Sequence, residues 1–173
     1  MEKYIPDVYQ KSIYDISYKK LHQCGIKCLL FNLDNTLVPL NSKEPTDKLI
    51  EFITNLKEQG FKIIIYSKCS KNRIQPFKEK LEVDCCALKR KAFDKKINEI
   101  LKMFNLKQAE LAIIGDQMVS DIVSGNKAGV TTILLNPISK KDRICEKIDR
   151  LREKKIMRKL RNNNLFVKGR YYE

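Results

Sequence analysis

An apolar run at 28–31 stops at Asn32-Leu33-Asp34-Asn35-Thr36, so amides, a carboxylate and a hydroxyl gather where a buried strand would end. Two more apolar runs stop in the same way, 61–66 at Ser67 and 111–114 at Gly115-Asp116. Open α/β sheets keep their ligands at the carboxyl ends of their strands, where residues far apart in sequence converge. Asn32, Asp34, Ser67 and Asp116 are therefore expected to line one cleft. Two carboxylates and an amide at a sheet edge suit a hard cation such as Mg²⁺, which prefers oxygen donors. Lys89 or Lys91, just after the strand-like 84–88, supplies a positive charge for a phosphate. Cation, lysine, hydroxyl and backbone N–H groups are what phosphoryl transfer requires, because its problem is positioning and charge neutralisation. Asp, Asn and Thr also form turns, so one such turn alone would read as a strand end and nothing more. Recurrence at distant strand ends favours phosphate chemistry.

These residues need a sheet behind them. Apolar runs at 28–31, 61–66, 111–114 and 130–135, with the shorter 84–88, read as about five strands. Between them Leu49, Phe52, Ile53 and Leu56 share one helical face, as do Ile97, Ile100, Leu101 and Phe104. Pro45 suits a first helical turn, and Gly60 and Gly129 suit helix ends. A weaker helix with Pro76 spans 71–80, and a short one starts near Ser120. Alternating strands and helices imply a Rossmann-like three-layer α/β/α sandwich with a parallel sheet and right-handed crossovers. Residues 1–27, with Tyr9, Ile13, Ile16 and Leu21 among polar positions, read as one or two amphipathic helices packing on the core at 28–137; residues 138–173 form a basic helical tail.

With 173 residues, 43% hydrophobic and 32% charged, the chain is expected to fold as one globular unit. It shows neither a membrane-length apolar run nor a signal peptide, so a cytoplasmic location is expected. The cysteines read as reduced, and His22, Cys24 and Cys28 lack the second ligand pair of a zinc site.

The order 32–37, Ser67, Lys91, then Gly115-Asp116-Gln117-Met118-Val119-Ser120-Asp121 resembles the four motifs of the haloacid dehalogenase (HAD) superfamily. Within it the chain looks like the YqeG family of small HAD phosphatases, related to phosphatidylglycerophosphate phosphatases, over about 6–137. The resemblance implies a Mg²⁺-dependent phosphomonoesterase acting on phosphatidylglycerophosphate or a related anionic phosphate ester. By position, residue 32 would be the nucleophile that forms an aspartyl-phosphate, and Asp34 the general acid and base. Asp116 would complete a metal site with residue 32 and the Asp34 carbonyl, and Asp121 would stand behind it or serve as an alternative ligand. Asn35, Thr36, Ser67 and Lys91 would contact phosphate. Lys91 fits the family's spacing to Asp116 better than Lys89, although Ala92 stands where a proline usually follows.

The chain departs from the family at Asn32, a neutral amide in the nucleophile's place. Three readings are open: an introduced trapping substitution, a phosphatase-like protein without catalysis that binds phosphate or lipid, or a changed mechanism. Ser67-Lys68-Cys69 also departs from the family's amide-rich turn. A receiver domain gathers similar groups at a sheet edge, but its phosphoacceptor follows the third strand and its lysine the last, unlike the order here.

Of the net charge of +14, the tail from residue 139 holds +8, with 13 Lys and Arg against 5 acids. Its apolar stripe of Ile144, Ile148 and Leu151 slips to Ile156, Met157 and Leu160. The stripe either packs on the domain or dips into an anionic membrane surface, a peripheral contact at the inner face. Nucleic acid ranks last as a partner, because no base-reading or aromatic-interleaved motif accompanies the charge.

Overall fold

The computed structural model describes residues 1–68, 70–87, 93–140 and 144–172, with side chains from 147 in the last segment. Six strands form one parallel sheet: β1 (Val8–Gln10), β2 (Cys28–Asn32), β3 (Lys62–Ser67), β4 (Asp84–Ala87), β5 (Leu111–Gly115) and β6 (Thr131–Leu135). They lie in the order β1-β6-β5-β2-β3-β4. The helices described are α1 (Tyr18–Gln23), α2 (Asp47–Glu58), α3 (Lys71–Leu81), α4 (Phe93–Met103), α5 (Val123–Ala128) and α6 (Ile144–Asn162).

All five residues of β2 and of β5 are buried, as parallel strands covered on both faces require. The pleat then sorts their side chains. Leu29, Phe31, Ile63, Ile65 and Ile114 pack with residues of α1, α2 and α3. Cys28, Leu30, Ile64, Tyr66 and Ile113 pack with residues of α4 and α5. A third cluster joins Tyr9 and Leu134 to Leu160 of α6 and to Phe166. The three-layer sandwich is therefore present.

It has one strand more than expected. Val8–Gln10 lies in the segment expected to be helical, but pairs with β6 in the register Tyr9↔Leu134, and the Tyr172 N–H donates to the Tyr9 carbonyl at 3.0 Å. Three residues are too few to show alternation, so the partners rather than the local pattern decide the conformation. The helical expectation survives at α1, after a single 3₁₀ turn at Ile13–Asp15. Pro45 lies just outside α2 rather than in its first turn: Thr46 caps the helix, its hydroxyl accepting from the Leu49 N–H at 3.3 Å. Pro76 lies inside α3.

The strand order reverses beside β2. The chain builds outward through β3 and β4, then returns across the sheet to place β5 on the other side of β2. The crevice beyond the carboxyl ends of β2 and β5 is thus the topological switch point, where such sheets bind ligands.

Cys28 is buried in β2, and burial pushes its thiol up to about 12; Cys24 is exposed at the end of α1. Brief treatment of the native protein with iodoacetamide should label Cys24 and spare Cys28 until denaturant is added, read by peptide mass mapping. Equal labelling of both would contradict this burial. Among the described residues no cluster of His, Cys, Asp and Glu suited to a metal appears, and His22 lies edge-on against Phe61 at 5.6 Å.

Candidate active site

β2 ends at Asn32 and the chain turns back at once. Asn35 takes a left-handed conformation at φ 59°, which asparagine tolerates better than most residues, and its N–H donates to the Val38 carbonyl at 2.8 Å. This tight return keeps Asn32, Asp34 and Thr36 beside the end of β5. Asp116 follows β5 directly, and a π-helical turn at Met118–Ile122 carries Ser120 and Asp121 beneath it.

Asp116 is the hub. Its Oδ1 accepts from the Asn32 amide Nδ2 at 2.9 Å and from the Thr36 hydroxyl at 3.1 Å. Its Oδ2 accepts from Arg150 Nη2, and its main-chain carbonyl from Arg150 Nη1 at 2.7 Å. Burial pushes the Asp116 carboxyl up to about 6; Arg150 opposes that rise, whereas the charge of Asp121 adds to it. Asn32 also donates from Nδ2 to the Asp34 carbonyl at 3.2 Å.

Two further carboxylates are held by cations of their own. The Asp34 Oδ1 accepts from Arg73 Nε at 3.2 Å and Nη2 at 3.0 Å, while its Oδ2 accepts from the Ser67 hydroxyl at 2.8 Å. The Asp121 Oδ1 accepts from Lys68 Nζ at 2.9 Å, and its Oδ2 from the Gln117 N–H at 3.1 Å. Lys68 also reaches Gln117 Oε1 at 2.8 Å. Asp121 packs so closely on the backbone that a Cβ at Gly115 would lie 2.2 Å from its Oδ2. Gly115→Ala should therefore displace Asp121 and cost roughly 1–3 kcal/mol, the usual range for overpacking. The denaturant midpoint checks this, and an unchanged midpoint would show that the loop yields freely.

Of the residues singled out from the sequence, the structure brings Asn32, Asp34, Thr36, Ser67, Asp116 and Asp121 together. Asn35 turns away to the loop after β6, its Oδ1 accepting from the Ser139 hydroxyl at 2.8 Å. Lys89 and Lys91 lie outside the described residues. Sequence reasoning missed Lys68, Arg73 and Arg150. A cation directly after Ser67 and another in the first turn of α3 were signals, since both follow a strand that ends at the site. Arg150 had no local signal, because the helix carrying it is remote in sequence.

In the first half of the tail, Ile148 and Leu151 do not take the first of the two open readings, packing on the domain. Ile148 and Leu151 are 51% and 61% exposed, whereas Asp149 and Glu153 are 3% exposed. Charged residues, not the apolar stripe, face the domain there. Arg150 Nη1 also donates to Glu153 Oε2 at 3.2 Å, and Glu153 Oε1 accepts from the Val119 N–H at 3.2 Å. Only farther along do Ile156, Met157 and Leu160 turn inward.

A family model for haloacid dehalogenase-like hydrolases matches residues 13–135, most of the chain and all of the site except Arg150 and Glu153. The chain belongs to this family. That settles against the receiver-domain alternative. Among relatives of the HAD-like chain, a protein of Bacillus subtilis named probable phosphatase YqeG is 32% identical over 91% of this chain and 92% of its own. Phosphatidylglycerophosphate phosphatase 1 of Arabidopsis thaliana is 26% identical over 79% of this chain, which spans 42% of that longer protein. In structure, the cobalt-bound deoxy-D-mannose-octulosonate 8-phosphate phosphatase of Haemophilus influenzae aligns with a TM-score of 0.52 at 14% identity, covering 82% of this chain and 94% of that one. This likeness speaks for the fold.

The HAD reading implies Mg²⁺ among the side-chain oxygen of residue 32, the Asp34 carbonyl and the Asp116 carboxylate. The donor atoms as arranged do not fit it. Residue 32 turns N–H groups, not an oxygen, toward the other two, and Arg150 already supplies a positive charge to Asp116.

Proposed function

We propose that the cleft at the ends of β2, β3 and β5 is the site of a HAD-type phosphatase that takes phosphate monoesters, with phosphatidylglycerophosphate or a related anionic phospholipid phosphate as substrate. The convergence of Asn32, Asp34, Ser67 and Asp116 at the topological switch point carries this reading. The names of the Bacillus and Arabidopsis relatives support a phosphatase and a lipid phosphate respectively. Asp34, whose carboxylate accepts from Ser67 and Arg73, is the general acid and base that protonates the leaving alcohol and then activates water. Mg²⁺ is the cation of the aspartate-bearing site, where it would neutralise phosphoryl oxygens; with Asn32 in place no step is routed through it. The test is phosphate release from phosphatidylglycerophosphate, by the unaltered chain and by Asn32→Asp with Mg²⁺. Failure of both proteins on this substrate and on a panel of phosphate esters would sink the proposal.

A second reading, a silent phosphate- or lipid-binding protein, is favoured by the Asn32 amide, which cannot form an acyl-phosphate and is committed to Asp34 and Asp116. Hydrolysis by the unaltered chain would dismiss it.

The proposed location is the cytoplasm, with peripheral contact at the inner face of the membrane through α6. No helix among the described residues is long and apolar enough to cross a membrane. α6 holds eight Lys and Arg against three acids, and two of those acids, Asp149 and Glu153, are buried against the domain. Its outward face is therefore basic, with Ile148 and Leu151 projecting from it, the pattern of a helix lying on anionic lipid. Leu151→Glu should weaken co-sedimentation with phosphatidylglycerol vesicles about tenfold or more, by removing apolar burial and adding a repelled charge. Unchanged binding would remove α6 from the contact.

A further inference from the structure

A divalent cation needs oxygen lone pairs aimed at one point. The oxygens are at hand, but this chain aims N–H groups at them. The Asn32 amide donates to the Asp34 carbonyl at 3.2 Å and to Asp116 Oδ1 at 2.9 Å, so each of its two hydrogens has an acceptor. Turning the amide over would set its oxygen against a carbonyl and a carboxylate with no proton between them, so the network fixes the orientation shown. Arg150 then spans Asp116 with the two arms of its fork, one on the carboxylate Oδ2 in a charge-assisted bond and one on the main-chain carbonyl. Glu153 holds that fork from the far side and is itself tied to the Val119 N–H.

We infer that Asn32 and Arg150 together stand in for the divalent cation: the amide bridges the Asp34 carbonyl and Asp116 Oδ1, two of the oxygens a metal would bind, and the guanidinium supplies the positive charge on the other oxygen of the Asp116 carboxylate. The unaltered chain therefore keeps its site assembled without Mg²⁺, and α6 is part of the site rather than an appendage. The two residues are complementary. Asn32 removes a carboxylate, which lowers the site's appetite for a dication, and Arg150 satisfies the carboxylate that remains. One fixed charge from α6 suffices where an aspartate at 32 would call for two.

This inference rests on the phosphatase reading only for where the cation would sit. Its readout is metal binding, not turnover, so the two can fail separately. Mn²⁺ is the probe, followed by loss of the free-ion electron paramagnetic resonance signal, with broadening of the Gly115 and Asp116 amide resonances to locate it. At millimolar Mn²⁺ the unaltered chain is expected to show neither change, and Asn32→Asp to show both. Adding Arg150→Gln to Asn32→Asp should tighten binding by about tenfold or more, since a cation within contact distance of the site has been removed. Circular dichroism checks that the double variant is folded. A second arm does not depend on that variant: in Asn32→Asp alone, Mg²⁺ should shift the Arg150 Nε–H resonance, because the guanidinium must leave Asp116 for the ion to enter. Mn²⁺ binding at Asp116 by the unaltered chain would overturn the inference. So would a folded double variant no tighter than Asn32→Asp, or an Arg150 resonance unmoved when Mg²⁺ binds.

Discussion

Asn32→Asp is expected to raise Mg²⁺-dependent phosphate release from phosphatidylglycerophosphate by at least about a thousandfold over the unaltered chain, the scale on which enzymes lose rate when a covalent nucleophile is removed. A carboxylate at 32 can attack phosphorus and carry the phosphoryl group as an acyl-phosphate, whereas an amide at that place is a poor nucleophile, and its Nδ2 donates to the Asp34 carbonyl and Asp116 instead. What the unaltered chain retains is positioning: Ser67 and Arg73 on Asp34, Thr36 and Arg150 on Asp116. Residual turnover from binding and electrostatics alone is the most it should show. The variant exchanges a neutral donor for a charge in a buried site, so its gain should appear only when Mg²⁺ is added, and chelation should abolish it. Adding Asp34→Asn to the active variant should suppress the rate again for esters with poor leaving groups, where protonation of the alcohol matters most. Equal rates for the unaltered chain and Asn32→Asp would place the nucleophile elsewhere.

The sheet and the convergence of its strand ends were legible in the sequence because both depend on local pattern. Five of the six strands are apolar runs ended by polar residues, and a parallel sheet brings such ends together whatever their separation. β1 was not legible, since a three-residue edge strand owes its conformation to Leu134 and Tyr172 rather than to its own composition. The same distinction divides the site. Asn32, Asp34, Ser67 and Asp116 were found because each follows an apolar run. Arg150 was hidden because the first half of α6 presents its charges inward and Ile148 and Leu151 outward, the reverse of the usual amphipathic order. The reversal has a physical reason. A buried carboxylate at Asp116 needs a partner more than the surface needs an apolar residue covered, since a lone Leu or Ile on a surface costs little and an unpaired buried charge costs several kcal/mol.

That imbalance predicts a large stability effect from a residue that is not part of the apolar core. Arg150→Ala should destabilise the protein by about 3–5 kcal/mol, because it strands Asp116 and leaves Glu153 without its ion pair, both out of water. For a chain of 173 residues this corresponds to a fall in Tm of roughly 6–20 °C. A surface arginine would not do this: exposed ion pairs contribute about 0–1 kcal/mol, whereas the side chain of Arg150 is 18% exposed and that of Asp116 is fully buried. The source of the loss can be separated from simple truncation. If the stranded charge dominates, adding Asp116→Asn to Arg150→Ala should recover more than about 1 kcal/mol, since an amide can stay buried against Asn32 and Thr36 far more cheaply than a carboxylate. If lost packing dominates, the second substitution should add to the damage. Urea denaturation of the three proteins decides between these, and an Arg150→Ala protein within about 2 °C of the parent, under half the smallest shift expected for a stranded buried charge, would mean that α6 is not holding Asp116 in solution.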